Sequence, residues 1–212
     1  MEKETIVKHR IFIIDIEKEQ QFMDSYREKG YKLAYLNNES FSFIFKKSKD
    51  TFIPRVRIDY RMFSKNDEYQ DYLSLFEDAG WKHIKGTKNS GIQYFEQMND
   101  DTNDELFSDK HSHAELYKRL FIYAITWLAI FLCLFFVCLP HYDLTSFLHP
   151  KDLFLTPGLW NLNGPRFVFA FLFELPFVLL RNGVPFLWLI LIITFAICAI
   201  NAKRKELSYK NF

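Results

Sequence analysis

The chain reads as an α+β domain of two βαββ units making one antiparallel sheet with both helices on one face, followed by a two-helix transmembrane hairpin. Three observations predict this. Phe121 to Leu139 runs without a charge, Gly or Pro, and as a helix it reaches roughly 28 Å, close to the hydrocarbon core of a bilayer. A second apolar run, Val184 to Ile200, ends against Asn201 and the basic cluster Lys203–Arg204–Lys205. In the soluble half, a Gly–aromatic pair occurs twice, Gly30–Tyr31 and Gly80–Trp81, each after a helix-like segment and before short alternating strands.

The first unit (about 9–46) opens with Arg10–Ile11–Phe12–Ile13–Ile14–Asp15 and closes with Ser40 to Phe45. The second (55–97) opens with Arg55–Val56–Arg57–Ile58–Asp59–Tyr60 and closes with Gly91 to Phe95. Matching the Ile–Asp pairs makes Asp15 the counterpart of Asp59, with the extra spacing absorbed after Tyr60. Tyr69, Tyr72, Leu73, Phe76 and Ala79 recur at helical spacing, with Asn66 as the expected N-cap and Gly80 as the stop. Phe22, Met23 and Tyr26 make a weaker stripe before Gly30. In the strands, Phe41, Phe43 and Phe45 alternate with Ser42 and Ile44, and Val56, Ile58 and Tyr60 with Arg55, Arg57, Asp59 and Arg61. The α+β domain takes residues 1–98. Met98 to His113 is polar, and Ala114 to Arg119 continues into the first span as one helix, so 99–119 is linker and juxtamembrane helix.

The membrane part divides into a first helix, 120–140, an outer loop, 141–183, and a second helix, 184–201, with a basic tail, 202–212. Lys118–Arg119 and Lys203–Arg204–Lys205 flank the spans, whereas His141 to Gly183 carries only Lys151, Arg166 and Arg181. The positive-inside rule places both termini in the cytoplasm. Phe167 to Leu180 is too short for a span and holds Glu174 and Pro176. It is read as an interfacial or re-entrant segment (166–181) anchored by Trp160 and the flanking arginines.

Residues 1–120 hold 20 Lys and Arg against 22 Asp and Glu, a net of −2, which lacks the basic footprint of a nucleic-acid binder. No direct nucleic-acid contact is expected. Nothing at the N-terminus resembles a cleaved signal. Cys133, Cys138 and Cys198 lie in apolar runs and read as small apolar side chains. His111 and His113 read as a solvated juxtamembrane turn, and the acids between Asp100 and Asp109 lack the glycine and spacing of a calcium loop. No phosphate-binding Gly-rich loop, G-x-S-x-G or H-E-x-x-H occurs. The reading is therefore no enzyme, no metal and no cofactor.

The string Arg57–Ile58–Asp59–Tyr60–Arg61, then Asp67–Glu68–Tyr69, then Phe76–Glu77–Asp78–Ala79–Gly80–Trp81 resembles the hallmark of a bacterial family, domain of unknown function 2812. Asp104 to Asp109 and Tyr117–Lys118–Arg119 continue the likeness, over roughly residues 9 to 120. The resemblance implies a soluble domain followed by spans. It also implies, through the regulators of PadR winged-helix type often found beside such proteins, a soluble regulator as partner. It carries no catalytic residues.

The candidate ligand or partner face is the row Arg57–Asp59–Arg61 with Asp15. Alternate residues of a strand share a face about 7 Å apart, so an acid lies between two guanidiniums. Such a row binds a carboxylate, a phosphate or a charged strip, or it is a ladder of cross-strand ion pairs. Asp15 also reads as a helix cap. Glu174 is the candidate polar site in the membrane part, paired with Arg166 or Arg181 or marking a proton or substrate path. The function expected is a membrane-anchored cytoplasmic binding and regulatory module, its partners the lipid bilayer and a soluble regulator. The alternative is an accessory subunit or small transporter, which with two spans per chain requires an oligomer.

Overall fold

The strands form where β-branched and aromatic residues alternate, and the helices where apolar residues recur every three or four positions. A computed structural model describes residues 4–11, 15–37, 41–138 and 150–210. The elements are β1 (Thr5–His9), α1 (Ile16–Arg27), β2 (Tyr31–Asn37), β3 (Ser42–Lys47), β4 (Val56–Tyr60), α2 (Asn66–Asp78), β5 (Trp81–Lys85), β6 (Ile92–Gln97), α3 (Lys110–Cys138), α4 (Pro165–Asn182) and α5 (Val184–Lys210). Two short 3₁₀ turns, Pro150–Leu153 and Leu159–Asn161, precede α4. The chain divides into two compact units: Met1–Ile122 with Ile200–Phe212, and Tyr123–Ala199.

The first unit is the expected α+β fold, with βαββ order in each half. Hydrogen bonding divides its strands into two antiparallel three-stranded sheets, β1-β3-β2 and β4-β6-β5, where one sheet was expected. α1 and α2, β2 and β5, and β3 and β6 each begin fifty positions apart. A bulge falls at corresponding places too, between Leu33 and Tyr35 in β2 and between His83 and Lys85 in β5. At this spacing the counterpart of Asp15 is Lys65, not Asp59. The expected match failed because the first strand is Thr5–His9, a mostly exposed edge strand with little apolar alternation to read. Of the apolar run expected as that strand, Phe12 to Ile14 lie outside the described residues, as does Ser40.

Each sheet has a helix packed on it, and α1 reaches the second sheet as well through Gln20 and Glu19. On the first, Phe22 of α1 meets Phe43 and Phe45 edge-on, and the Tyr26 ring stacks on Phe45 at 4.4 Å. On the second, Phe76 of α2 packs on Phe95, which is 0 % exposed, within a cluster that includes Phe63, Tyr69, Tyr72 and Trp81. Burying such rings is worth about 2–3 kcal/mol each, which makes this aromatic core the main stabilising feature of the unit. Phe41, expected beside Phe43 and Phe45, precedes β3 and is half exposed. Gly30 and Gly80 end the helical segments at φ +82° and +85°, a conformation that costs a side chain dearly, so glycine is required at both turns. The N-cap of α2 is Lys65 with no side-chain cap bond, and Asn66 is already helical.

α3 is continuous from Lys110 through the apolar run, as expected of the juxtamembrane segment. Asp109 opens it by accepting from Ser112 N–H at 2.7 Å, a contact that holds its carboxyl below the usual range. α3 and α5 are both long and apolar enough to cross a membrane. Only 11 % and 17 % of their apolar windows are buried within the protein, unlike the core helix of a soluble fold. In the second unit they pack antiparallel through Trp127 and Phe131 against Trp188 and Phe195. α4 runs through Pro176 as one helix of 18 residues. Leu139 to His149 lie outside the described residues. α5 continues as helix through the expected basic tail, where Glu206, 2 % exposed, pairs with Lys203 and Lys210.

Candidate functional site

β4 is an edge strand, so the backbone groups of Val56, Ile58 and Tyr60 point away from β6. An unpaired edge inside a folded protein is costly and invites strand addition. Here side chains satisfy it. Gln20 of α1 accepts from Ile58 N–H at 2.9 Å, Arg57 Nη1 donates to Val56 O at 3.0 Å, and Asp59 Oδ1 accepts from Tyr60 N–H at 2.7 Å. Arg119 Nε, from the base of α3, donates to Tyr60 O at 2.7 Å.

All five residues of β4 are buried, where an open polar face was expected for Arg57 and Asp59. By register Asp59 lies opposite Gln93, and Arg57 opposite Phe95. α2 covers that face, and the base of α3 caps the Asp59 end. Asp59, 1 % exposed, accepts from Tyr72 OH at 2.8 Å and from Arg119 Nη2 at 2.9 Å. Burial, with Asp59 beside it, pushes the Tyr72 hydroxyl far up, so it stays a donor. Arg57, 3 % exposed, meets Asp24 of α1 at 3.1 Å, the Asp104 carbonyl at 3.0 Å and Glu105 at 3.7 Å. Arg61 is exposed, over the rings of Phe63 and Tyr72. Asp15 caps α1, accepting from Lys18 N–H at 3.1 Å and pairing with the Lys18 ammonium. The structure therefore joins Arg57 and Asp59 along one edge and sets Arg61 and Asp15 apart from it.

A second set of contacts ties the ends of both long helices to α1. Glu17 accepts from Tyr117 OH of α3 at 2.9 Å and pairs with the Lys205 ammonium of α5. The Tyr209 ring of α5 stacks on Tyr117 and, at 4.9 Å, on His113, whose Nε2 contacts Phe107 O. A cleft of about 320 Å³ lies among these groups, with Arg57, Asp24 and Glu17 on one side and Phe107, Tyr117 and Tyr209 on the other. No group of His, Cys, Asp and Glu among the described residues could hold a metal.

Glu174, in the second unit, is 7 % exposed. Its carboxylate accepts from Leu155 N–H and, at 3.0 Å, from Thr156 N–H. Two backbone amides of the preceding loop thus bind this carboxylate. Arg166 is exposed two turns earlier on α4, and the side chain of Arg181 lies outside the described residues. Trp160 donates from Nε1 to Lys151 O at 3.2 Å, holding the loop beside it.

Arg119, Tyr72, Gln20, Glu17 and Lys205 escaped the sequence reading. Arg119 was legible only as a flanking charge and as part of the family string, Lys205 only as a flanking charge, and Tyr72 only as part of a core stripe. Their partners are 13 to 188 positions away, and no local spacing announces such pairs.

No curated protein and no solved structure matches the chain. The family model described as protein of unknown function (DUF2812) matches residues 15–132, from the cap of α1 into the apolar part of α3. More than half of the sequence is covered, so the chain belongs to that family.

Proposed function

We propose that this is a membrane-anchored cytoplasmic module that binds a soluble partner and conveys its bound state to a two-helix membrane hairpin. The observation that carries this reading is the double grip on the helix ends: Asp59 on Arg119 of α3, and Glu17 on Tyr117 of α3 and Lys205 of α5. A displacement of α1 or β4 on binding moves both helix ends through short, charge-assisted contacts. The exposed apolar faces of α3 and α5 support insertion in lipid. The basic residues at Lys118, Arg119, Lys203, Arg204 and Lys205 support a cytoplasmic location for both termini. A soluble regulator of the PadR type is the partner that the family resemblance favours.

The test uses the full chain with its three native cysteines replaced. Single cysteines at the exposed positions Lys18, Lys151 and Ser208 are offered an impermeant maleimide. Lys151→Cys should label on intact cells, and Lys18→Cys and Ser208→Cys only after permeabilisation. Opposite behaviour of Lys18→Cys and Ser208→Cys would overturn the hairpin topology. Full-length bait taken from solubilised membranes should then retain a soluble regulator, in a yield altered by Arg119→Gln. Enrichment of integral membrane proteins alone would favour the accessory or transport reading.

A further inference from the structure

A second cleft in the α+β unit, of about 650 Å³, lies between edge strand β2 of one sheet and edge strand β5 of the other, and the ends of β3 and β6 contribute to it. Lys32, Lys46, Lys47, Lys49, Lys82 and Lys85 line it, against two acids, Asp50 and Glu96. The fold that carries this cleft nets −2 over residues 1–120, so a local excess of four positive charges is a concentration of charge, not a reflection of composition. Glu96 is engaged with Lys32 at 3.8 Å, and Asp50 accepts from Ser48 OH at 3.0 Å. Among the described residues, Lys46, Lys49, Lys82 and Lys85 have no carboxylate partner. Like charges held together without counter-charges are repulsive and gain from an anion that bridges them.

The cleft has an apolar floor as well. Leu33 and Leu36 are buried beneath it, and Tyr35 is 54 % exposed with the Lys85 ammonium over its ring. Burial pushes the pKa of His83, also on the lining, down, which leaves it uncharged at neutral pH. Lys32 and Lys82 are fifty positions apart, as are the bulged residues Ala34 and Ile84, so corresponding places in the two halves supply the two walls.

The bulges decide among occupants. A bulge twists an edge and ends regular pairing, so two bulged edges facing one cleft are poor templates for an added peptide strand. The volume falls in the range of small-molecule sites, about 300–1,000 Å³. We propose that this cleft binds a small multivalent anion, a polyphosphate group joined to a flat or apolar body, with the phosphates on Lys46, Lys49, Lys82 and Lys85 and the body against Tyr35. This rests on reading the α+β fold as a binding module and names the class of ligand it takes. It does not depend on the topology of the helices or on the regulator.

The test is calorimetric titration of the purified full chain in detergent with inorganic triphosphate and, separately, with adenosine triphosphate. Both should bind saturably, and more weakly at high salt, because exposed charge pairs are screened. Lys46→Glu and Lys82→Glu, both at exposed positions, should each weaken both probes by about tenfold or more, with melting unchanged. Tyr35→Ala should weaken the nucleotide and leave triphosphate unaffected. Equal loss of both probes in Tyr35→Ala would remove the ring from the site. No saturable binding at millimolar probe, or binding indifferent to both charge reversals, would overturn the proposal. That failure is separable from failure of the membrane reading, which cysteine labelling reports alone.

Discussion

Asp59→Ala is expected to lower the stability of the α+β unit by about 2–3 kcal/mol, less than for a fully buried ion pair because the Arg119 side chain is 28 % exposed. Three donors lose their acceptor at once: the Arg119 guanidinium, the Tyr72 hydroxyl and Tyr60 N–H. Tyr72 is 6 % exposed, so its unpaired hydroxyl adds its own desolvation cost. Arg61→Ala, two residues along the same chain, is the control. Its guanidinium is exposed, and a change within about 0.5 kcal/mol is expected. Urea unfolding of the full chain in micelles, followed by circular dichroism, distinguishes the two. Equal, small effects would mean that Asp59 is solvated as the sequence pattern alone implied. Adding Arg119→Leu to Asp59→Ala should restore part of the loss, because the orphaned charge is then gone.

Glu19→Gln is expected to change how stability depends on pH. Glu19 lies on α1, 6 % exposed, and accepts from Tyr94 OH at 2.7 Å. Burial outweighs that hydrogen bond and pushes its carboxyl up to about 7. The folded value lies above the unfolded one, so protonated Glu19 contributes stability fully below the unfolded value. That contribution is lost as pH rises through about 7. Wild type should therefore lose up to about 3 kcal/mol between weakly acidic and weakly alkaline solution from this group. The Gln variant keeps an acceptor for Tyr94 and has no charge to bury, so it should match wild type in acid and exceed it in alkali. His83 acts with the opposite sign: its pKa is lowered by burial, so its contribution is lost as pH falls. The difference between wild type and Glu19→Gln cancels it. Parallel pH profiles for the two proteins would show that Glu19 is ionised in the folded state.

Much of the fold was legible because its signals are local. Tyr69, Tyr72 and Phe76 share a helical face, glycine is needed at Gly30 and Gly80, and Phe43 and Phe45 alternate into the core. The first strand was misplaced because Thr5–His9 is an exposed edge, while the more apolar residues after it attracted the strand reading. The division into two sheets was hidden too, since nothing in sequence says whether β2 and β5 pair or face each other across a gap. For the candidate site, the chemistry of Arg57 and Asp59 was recognised but not their burial. Alternation along β4 shows that they face away from Val56 and Ile58. It cannot show that α2 and the base of α3 fold over that second face. Asp59 is therefore closed off by residues at 72 and 119, whose roles exist only once the chain has folded.

The central claim, that the α+β fold grips the ends of both long helices, is tested most directly by zero-length carbodiimide cross-linking of the full chain in its native membrane. The reagent joins a carboxylate to an amine only where they touch, as Glu17 and Lys205 do across 188 positions of sequence. Peptide mass spectrometry should find the Glu17–Lys205 amide within single chains, beside the local pair Glu115–Lys118, which touches at 3.0 Å and reports that the reaction worked. Lys205→Ala should remove the first and leave the second. Recovery of Glu115–Lys118 without any Glu17–Lys205 would contradict the account, because α5 would then end free of the domain said to hold it.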